Sequence, residues 1–279
     1  MNITKKLIAF AFALCIIQLT FGKSTQESFT FIQLTDTQMG FISSNQNCDE
    51  EIELYTKAVN FINKVKPKFV VITGDFVNNR TDTSQIKSFK KITSLINKKI
   101  PVYLIPGNHD MGQKPTKGNV DFYFRHYKSD KFNFKYGNVQ FIGINSSYIN
   151  TGIEEEIAQY NWLQESLSKN PICIRKIVFS HYPFFIKNID EKDSYSNITQ
   201  PKRTEYMQLF KKSGVVAVFA GHYHNNAEGS YQGIKMITTS AVGKQLGNAK
   251  SGLRIIKVYR DSITHQYVEL SNLPKQIQF

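Results

Sequence analysis

The stretch "FTFIQLTDTQMG", Phe29 to Gly40, begins as an apolar, β-branched run and closes on Asp36 and, two residues later, Gln38. A buried strand that ends on a carboxylate and a side-chain amide, where the chain turns out, is either an Asp-containing turn or the first piece of a ligand site. This segment alone fits both readings. The ends of the other strands separate them.

Short apolar runs alternate with amphipathic segments along the chain. Strands are expected near 29–35, 69–73, 102–105, 139–144, 176–180 and 215–220, and helices over 50–65, 84–98, 154–168 and 203–213. "KYGNV" at 135–139 reads as a hairpin turn on Gly137-Asn138. The last third reads as all-β, with a tight turn at Asp261-Ser262. The pattern implies an α/β fold whose two sheets form a β-sandwich flanked by helices.

Each strand is followed by chemistry. The first delivers Asp36 and Gln38, the second Gly74-Asp75, and the third Gly107-Asn108-His109-Asp110. The strand at 176–180 delivers His181, and the one at 215–220 delivers Gly221-His222-Tyr223-His224. Carboxyl ends of strands in α/β sheets converge on one edge, so these residues are expected to meet. Carboxylates, an amide oxygen and imidazoles are ligands for hard or borderline divalent ions. In extended chain, two histidines one residue apart point the same way, which would let both reach a metal cluster. Singly, each residue also fits a turn, a cap or a buried strand end; the ordered set of five does not. No GxSxG elbow, P-loop or GxGxxG occurs, so serine hydrolase, P-loop NTPase and Rossmann readings have no support.

The ordered set Asp, Gly-Asp, Gly-Asn-His-Asp, His, Gly-His-x-His resembles the calcineurin-like metallophosphoesterases, over Phe29 to Leu270. "TDTQMGF", "GNHDMGQKPT", "GHYHNNAEGSYQ" and "TTSAVGKQLG" look most like the subgroup typified by calcineurin-like phosphoesterase domain-containing protein 1, described as a serine/threonine phosphatase. Most of the superfamily carries Asp-x-His at the first motif; Asp36-Thr37-Gln38 departs from it as the subgroup does.

The resemblance implies two divalent ions (Mn, Fe, Zn or Mg). Asp36, Asp75 and His224 would hold one, with Gln38 in place of the usual histidine. Asp75 would bridge to the second, completed by Asn108, His181 and His222. It further implies that an activated water attacks phosphorus in line, with His109 protonating the leaving oxygen and Asp110 orienting His109. Gln38 is left as either a weak direct ligand or a hydrogen-bond partner of a metal-bound water. Phosphomonoester hydrolysis, on phosphoproteins as the subgroup implies, is the first reading. A phosphodiesterase for nucleotides or phospholipid head groups and a low-turnover metal-binding protein stand beside it.

At the N-terminus, Lys5 and Lys6 precede the uncharged run "LIAFAFALCIIQLTF". That run is shorter than the ~20 residues that span a bilayer and matches a secretory signal. Residues 1–22 are therefore expected to be a signal peptide and 23–279 the phosphoesterase domain, with a secreted or periplasmic location. The alternative is a membrane anchor left uncleaved. The formal net charge of +13 fits a soluble surface rich in lysine and also suits anionic partners such as phosphorylated substrates. No compact basic stripe with interleaved aromatics argues for nucleic acid. Cys48 and Cys173 form no CxxC pair and are expected as idle thiols, a disulfide between them staying open. Arg80, Lys187, Arg203 and Lys244 are the loop cations that could meet phosphate, each also fitting a solvated surface charge. His181 to Arg203 reads as a long loop walling the site, with Phe184-Phe185 packed in the core.

Overall fold

Strand β1 (Phe29–Leu34) is apolar along almost its whole length because both faces are covered. Phe31 points into an aromatic layer between two sheets, while Ile32 and Leu34 point the other way, onto helices. A computed structural model describes residues 28–149, 151–169 and 174–277; the expected signal peptide and Cys173 lie outside them. Among the described residues no helix is long and apolar enough to cross a membrane.

The first sheet runs β11-β10-β1-β2-β3. In it β1, β2 (Val70–Thr73) and β3 (Val102–Ile105) are parallel, and β10 (Gly252–Val258) and β11 (Ile263–Glu269) are antiparallel additions. The second runs β4-β5-β6-β7-β9-β8. Its parallel centre is β5 (Val139–Gly143), β6 (Arg175–Phe179), β7 (Val215–Ala220) and β9 (Ile234–Thr238), with β4 (Phe132–Tyr136) and β8 (Ala227–Tyr231) antiparallel at the edges.

Phenylalanines glue the sheets together. Phe31 and Phe69 stack at 4.8 Å, and Phe141, Phe179 and Phe219 meet Phe31 edge-on at 5.5, 5.8 and 6.1 Å. Helices α1 (Asp49–Val65) and α2 (Thr83–Thr93) cover the outer face of the first sheet; α5 (Glu154–Ser168) and α6 (Lys202–Lys212) cover that of the second. The expected sandwich flanked by helices is what forms.

Local departures have local causes. The 84–98 helix stops at Thr93, yet Ile96 and Ile100 go into the same core, so apolar periodicity outlasts the helix. A four-residue α3 (Asn108–Met111) and α4 (Lys117–His126) were not anticipated; the Thr116/Asn119 capping box starts α4. The hairpin turn at Gly137-Asn138 joins β4 to β5 as expected. Phe184 and Phe185 are fully buried.

Candidate metal centre and active site

The parallel strands of both sheets deliver their carboxyl ends to one rim of the sandwich, and the expected residues gather there. Asp36, Asp75 and His224 place ligand atoms within 4.8 Å of one another, and so do Asp75, His181 and His222. Asp75 belongs to both groups. All of these side chains are buried.

The route by which they converge differs from the extended-chain expectation. β1 ends at Leu34, and Asp36 and Gln38 sit in the left-handed region at φ 51° and 39°. Asp75 (φ 51°), His222 (φ 65°) and His224 (φ 51°) do the same. After its strand the chain coils instead of running straight, and residues 36–39 run alongside 74–77. Asp36 N donates to Gly74 O (3.0 Å), Gln38 N to Asp75 O (2.8 Å) and Met39 N to Phe76 O (3.1 Å). Side-chain direction is thus fixed by paired left-handed turns, not by strand alternation.

Glycines make the approach close enough. A Cβ on Gly107 would lie 2.2 Å from Asp75 Oδ1, and one on Gly221 would lie 1.8 Å from Thr35 Oγ1 and 2.6 Å from Asp36 Oδ2. Gly221→Ala is expected to displace Asp36 and to lower stability by about 1–3 kcal/mol, as overpacking does. A denaturant titration with parallel metal analysis reads both effects, and unchanged values in both would refute the close-approach argument.

The imidazoles are preset as ligands. His181 Nδ1 lies 2.8 Å from Thr73 O, His222 Nε2 lies 2.8 Å from Tyr195 O, and His224 Nδ1 bonds Lys244 O. A carbonyl only accepts, so each of these nitrogens carries the hydrogen, and in the neutral imidazole the other presents its lone pair inward. The inward nitrogens meet acceptors: His181 Nε2 is 3.3 Å from Asp75 Oδ2 and 3.0 Å from Asn108 Oδ1, and His224 Nε2 is 3.3 Å from Asp36 Oδ1. Lone pairs converging without hydrogens between them need a proton or a cation. Asp36 Oδ1 and Gln38 Oε1 are likewise buried with no hydrogen-bond partner. The donor set therefore fits divalent cations.

The electrostatics agree. Burial opposes ionisation of Asp75, yet His181, His109 and His222 hold it well below the usual carboxylate range. Burial lowers the pKa of His181, but the Asp75 carboxylate overrides this and lifts it to about 9. Burial and then the His181 charge press His222 down to about 4. In Asp36 the His224 imidazole overcomes burial and lowers the pKa. A cation would take the place of the proton that His181 shares with Asp75.

His109 is differently placed. Its backbone N–H donates to Asp75 Oδ1 (2.8 Å), while its ring Nδ1 lies 2.8 Å from Asn78 O, leaving Nε2 uncommitted. Its ring lines a cavity of about 400 Å³ with Asn108 and Arg80. Asp110 does not orient this ring, contrary to expectation. Its carboxylate accepts from Gly107 N (2.9 Å), Phe76 N (2.9 Å) and Val77 N (3.4 Å), tying α3 to the loop after β2. The acid at the third helical position caps the helix instead.

The loop cations separate clearly. Arg80 faces the site cavity, and Lys244 lies 5.2 Å over the Phe41 ring, which itself sits 5.7 Å from His224. Lys187 is an exposed residue of a turn capped by Glu191. Arg203 is buried and bonds the carbonyls of Ile198, Ile189 and Glu191 and the Asp193 carboxylate. It pins the wall loop and has no free face for phosphate. That loop also brings Tyr195, which the sequence reading missed. Its hydroxyl accepts from Asn108 Nδ2 (3.2 Å) and Gln113 Nε2 (3.3 Å) at the mouth of the site. A tyrosine in an aperiodic loop carries no signal of its destination.

The calcineurin-like phosphoesterase family model matches residues 29–226. Serine/threonine-protein phosphatase CPPED1 of Rattus norvegicus is 37% identical over 268 residues, 89% of this chain and 86% of the relative. The Homo sapiens protein of the same name is 37% identical over 269 residues, with the same coverage. Among solved structures, a dimetal phosphatase from Danio rerio superposes with a TM-score of 0.65 at 14% identity, covering 86% of this chain and 97% of its own, a likeness of fold. The chain belongs to the calcineurin-like phosphoesterases, in the subgroup of the CPPED1 phosphatases, and is a metallophosphoesterase.

Proposed function

We propose that this enzyme hydrolyses phosphate monoesters, with phosphoserine and phosphothreonine in proteins as its substrate class. The observation that supports this most is the pair of carboxylate–imidazole groups sharing Asp75, with inward nitrogens left bare. In this reading Asp36, Gln38, Asp75 and His224 hold one cation, and Asp75, Asn108, His181 and His222 the other. Two such ions, when bound, would supply charge to offset the phosphate and would bring the pKa of water from 15.7 towards about 7. Arg80 neutralises the incoming phosphate from the open cavity beside His109. His109, its Nδ1 fixed on Asn78 O, delivers a proton from Nε2 to the leaving alkoxide. The relatives named as serine/threonine-protein phosphatases support the substrate class. Lys5, Lys6 and the apolar run behind them support a secreted or periplasmic setting, with phosphoproteins outside the cytosol as substrates.

The test is metal-stripped protein reloaded separately with Mn²⁺, Zn²⁺, Fe²⁺ or Mg²⁺ and assayed on a phosphoserine peptide and on a nitrophenyl diester. Faster turnover of the peptide is expected. Preference for the diester, or metal uptake without turnover, would overturn the reading.

Gln38 is open to its own experiment. Its Nε2 donates to Asn78 Oδ1 (3.3 Å), and its Oε1 is buried without a hydrogen-bond partner. Gln38→His exchanges an oxygen donor for nitrogen, so metal preference is expected to move from Mn²⁺ or Mg²⁺ towards Zn²⁺ or Fe²⁺. An identical ranking of the four metals in both proteins would show that Gln38 does not touch the ion.

A further inference from the structure

A cavity of about 740 Å³, larger than the one beside His109, lies not at the metal centre but along the open edge of β3. β3 pairs with β2 on one side, and no strand among the described residues takes its other side. Val70 N donates to Pro101 O, so in this parallel pair the backbone of Tyr103 faces β2, and the N–H and C=O of Val102 and Leu104 face outward into the cavity. Ile96, Ile100 and the side of Phe89 give it an apolar floor. Lys90, Lys98, Lys128 and Lys131 rim it, and no aspartate or glutamate lines it. Lys131 is engaged with Asp130 and the Trp162 ring, whereas Lys98 and Lys128 are exposed.

An unpaired strand edge, an apolar trough beside it and a rim of one charge together specify an occupant. We propose that this groove docks an extended acidic peptide segment of a partner protein, added as a strand to β3. The partner's backbone pairs with Val102 and Leu104, alternate apolar side chains enter the trough and carboxylates meet Lys98 and Lys128. An acyl-chain anion would use the trough and the lysines but would leave the outward backbone groups of β3 unpaired, so the peptide fits more of the surface. Val102 and Leu104 lie at most about 10–16 Å from Gly107 along the chain, at ~3.3 Å per extended residue. A partner bound there therefore holds its neighbouring segments close to the metal centre. Nothing in the docking requires the centre to hydrolyse any particular ester.

The test uses displayed random heptapeptides selected on the intact protein, with the K98E/K128E double variant as control. Peptides that alternate acidic and apolar residues are expected to be enriched. A synthetic copy should lose at least tenfold in affinity on the double variant, and as much when alternate amides of the peptide are N-methylated. The variant changes only exposed side chains, so its fold and its hydrolysis of nitrophenyl phosphate should be preserved. Enrichment of basic or patternless peptides, or binding unaffected by N-methylation, would overturn strand addition. Oleate displacing the peptide while the N-methylated copy still binds would assign the groove to amphiphilic anions instead.

Discussion

Asp75→Asn is expected to strip the protein of both cations and abolish hydrolysis. The carboxylate sits in both ligand groups, and its Oδ2 lies 3.3 Å from His181 Nε2 while Oδ1 accepts from His109 N. An amide keeps the shape but brings no charge to offset either ion. Altering a partner outside the metal's ligands already costs about 10–100-fold in affinity or activity. Loss of a shared ligand should exceed that, with turnover falling on the order of 10³-fold or more. Elemental analysis after dialysis is the direct readout. Occupancy of either position at the wild-type level would show that Asp75 does not bridge.

His109→Ala is expected to leave both cations in place and slow hydrolysis of alkyl phosphates by ~10²–10⁴, about 3–5 kcal/mol of barrier. The metals are spared because the link from residue 109 to Asp75 runs through the backbone N–H, which alanine keeps. The loss should shrink for a nitrophenyl phosphate, whose leaving group needs little protonation. Equal losses on phosphoserine peptide and nitrophenyl phosphate would exclude His109 as the general acid. Asn78 meets the His109 ring through its carbonyl, while its side-chain oxygen accepts from Gln38 Nε2, so substitutions of that side chain should act on Gln38 and not reproduce the leaving-group dependence.

Much of this architecture was legible because burial on both faces writes continuous apolar runs, as in β1, β2 and β7, and strand ends in such a sheet have one place to go. The convergence of Asp36, Asp75, His181, His222 and His224 followed from that. Their directions did not. Periodicity reports which residues share a face only while the chain keeps one conformation, and the sign of φ at Asp36, Gln38, His222 and His224 leaves no trace in it. Asp110 was misjudged for a related reason: a charged residue inside a catalytic motif reads as chemistry, yet it caps a four-residue helix. Arg203, read as a phosphate cation or a solvated surface charge, is neither; it is buried and bonds the carbonyls of a loop that has no repeat of its own. Tyr195 lies in that same loop and was invisible.

Five residues of the site, Asp36, Gln38, Asp75, His222 and His224, hold backbone angles that glycine would adopt freely. For other residues that conformation costs on the order of 1–2 kcal/mol each. Glycine at any of these positions would relax the backbone while deleting a functional side chain. Selection for abundance or heat resistance alone would therefore erode this centre from within, fixing glycine at these five positions before it touched the phenylalanine layer. A lineage that abandoned hydrolysis should carry that signature.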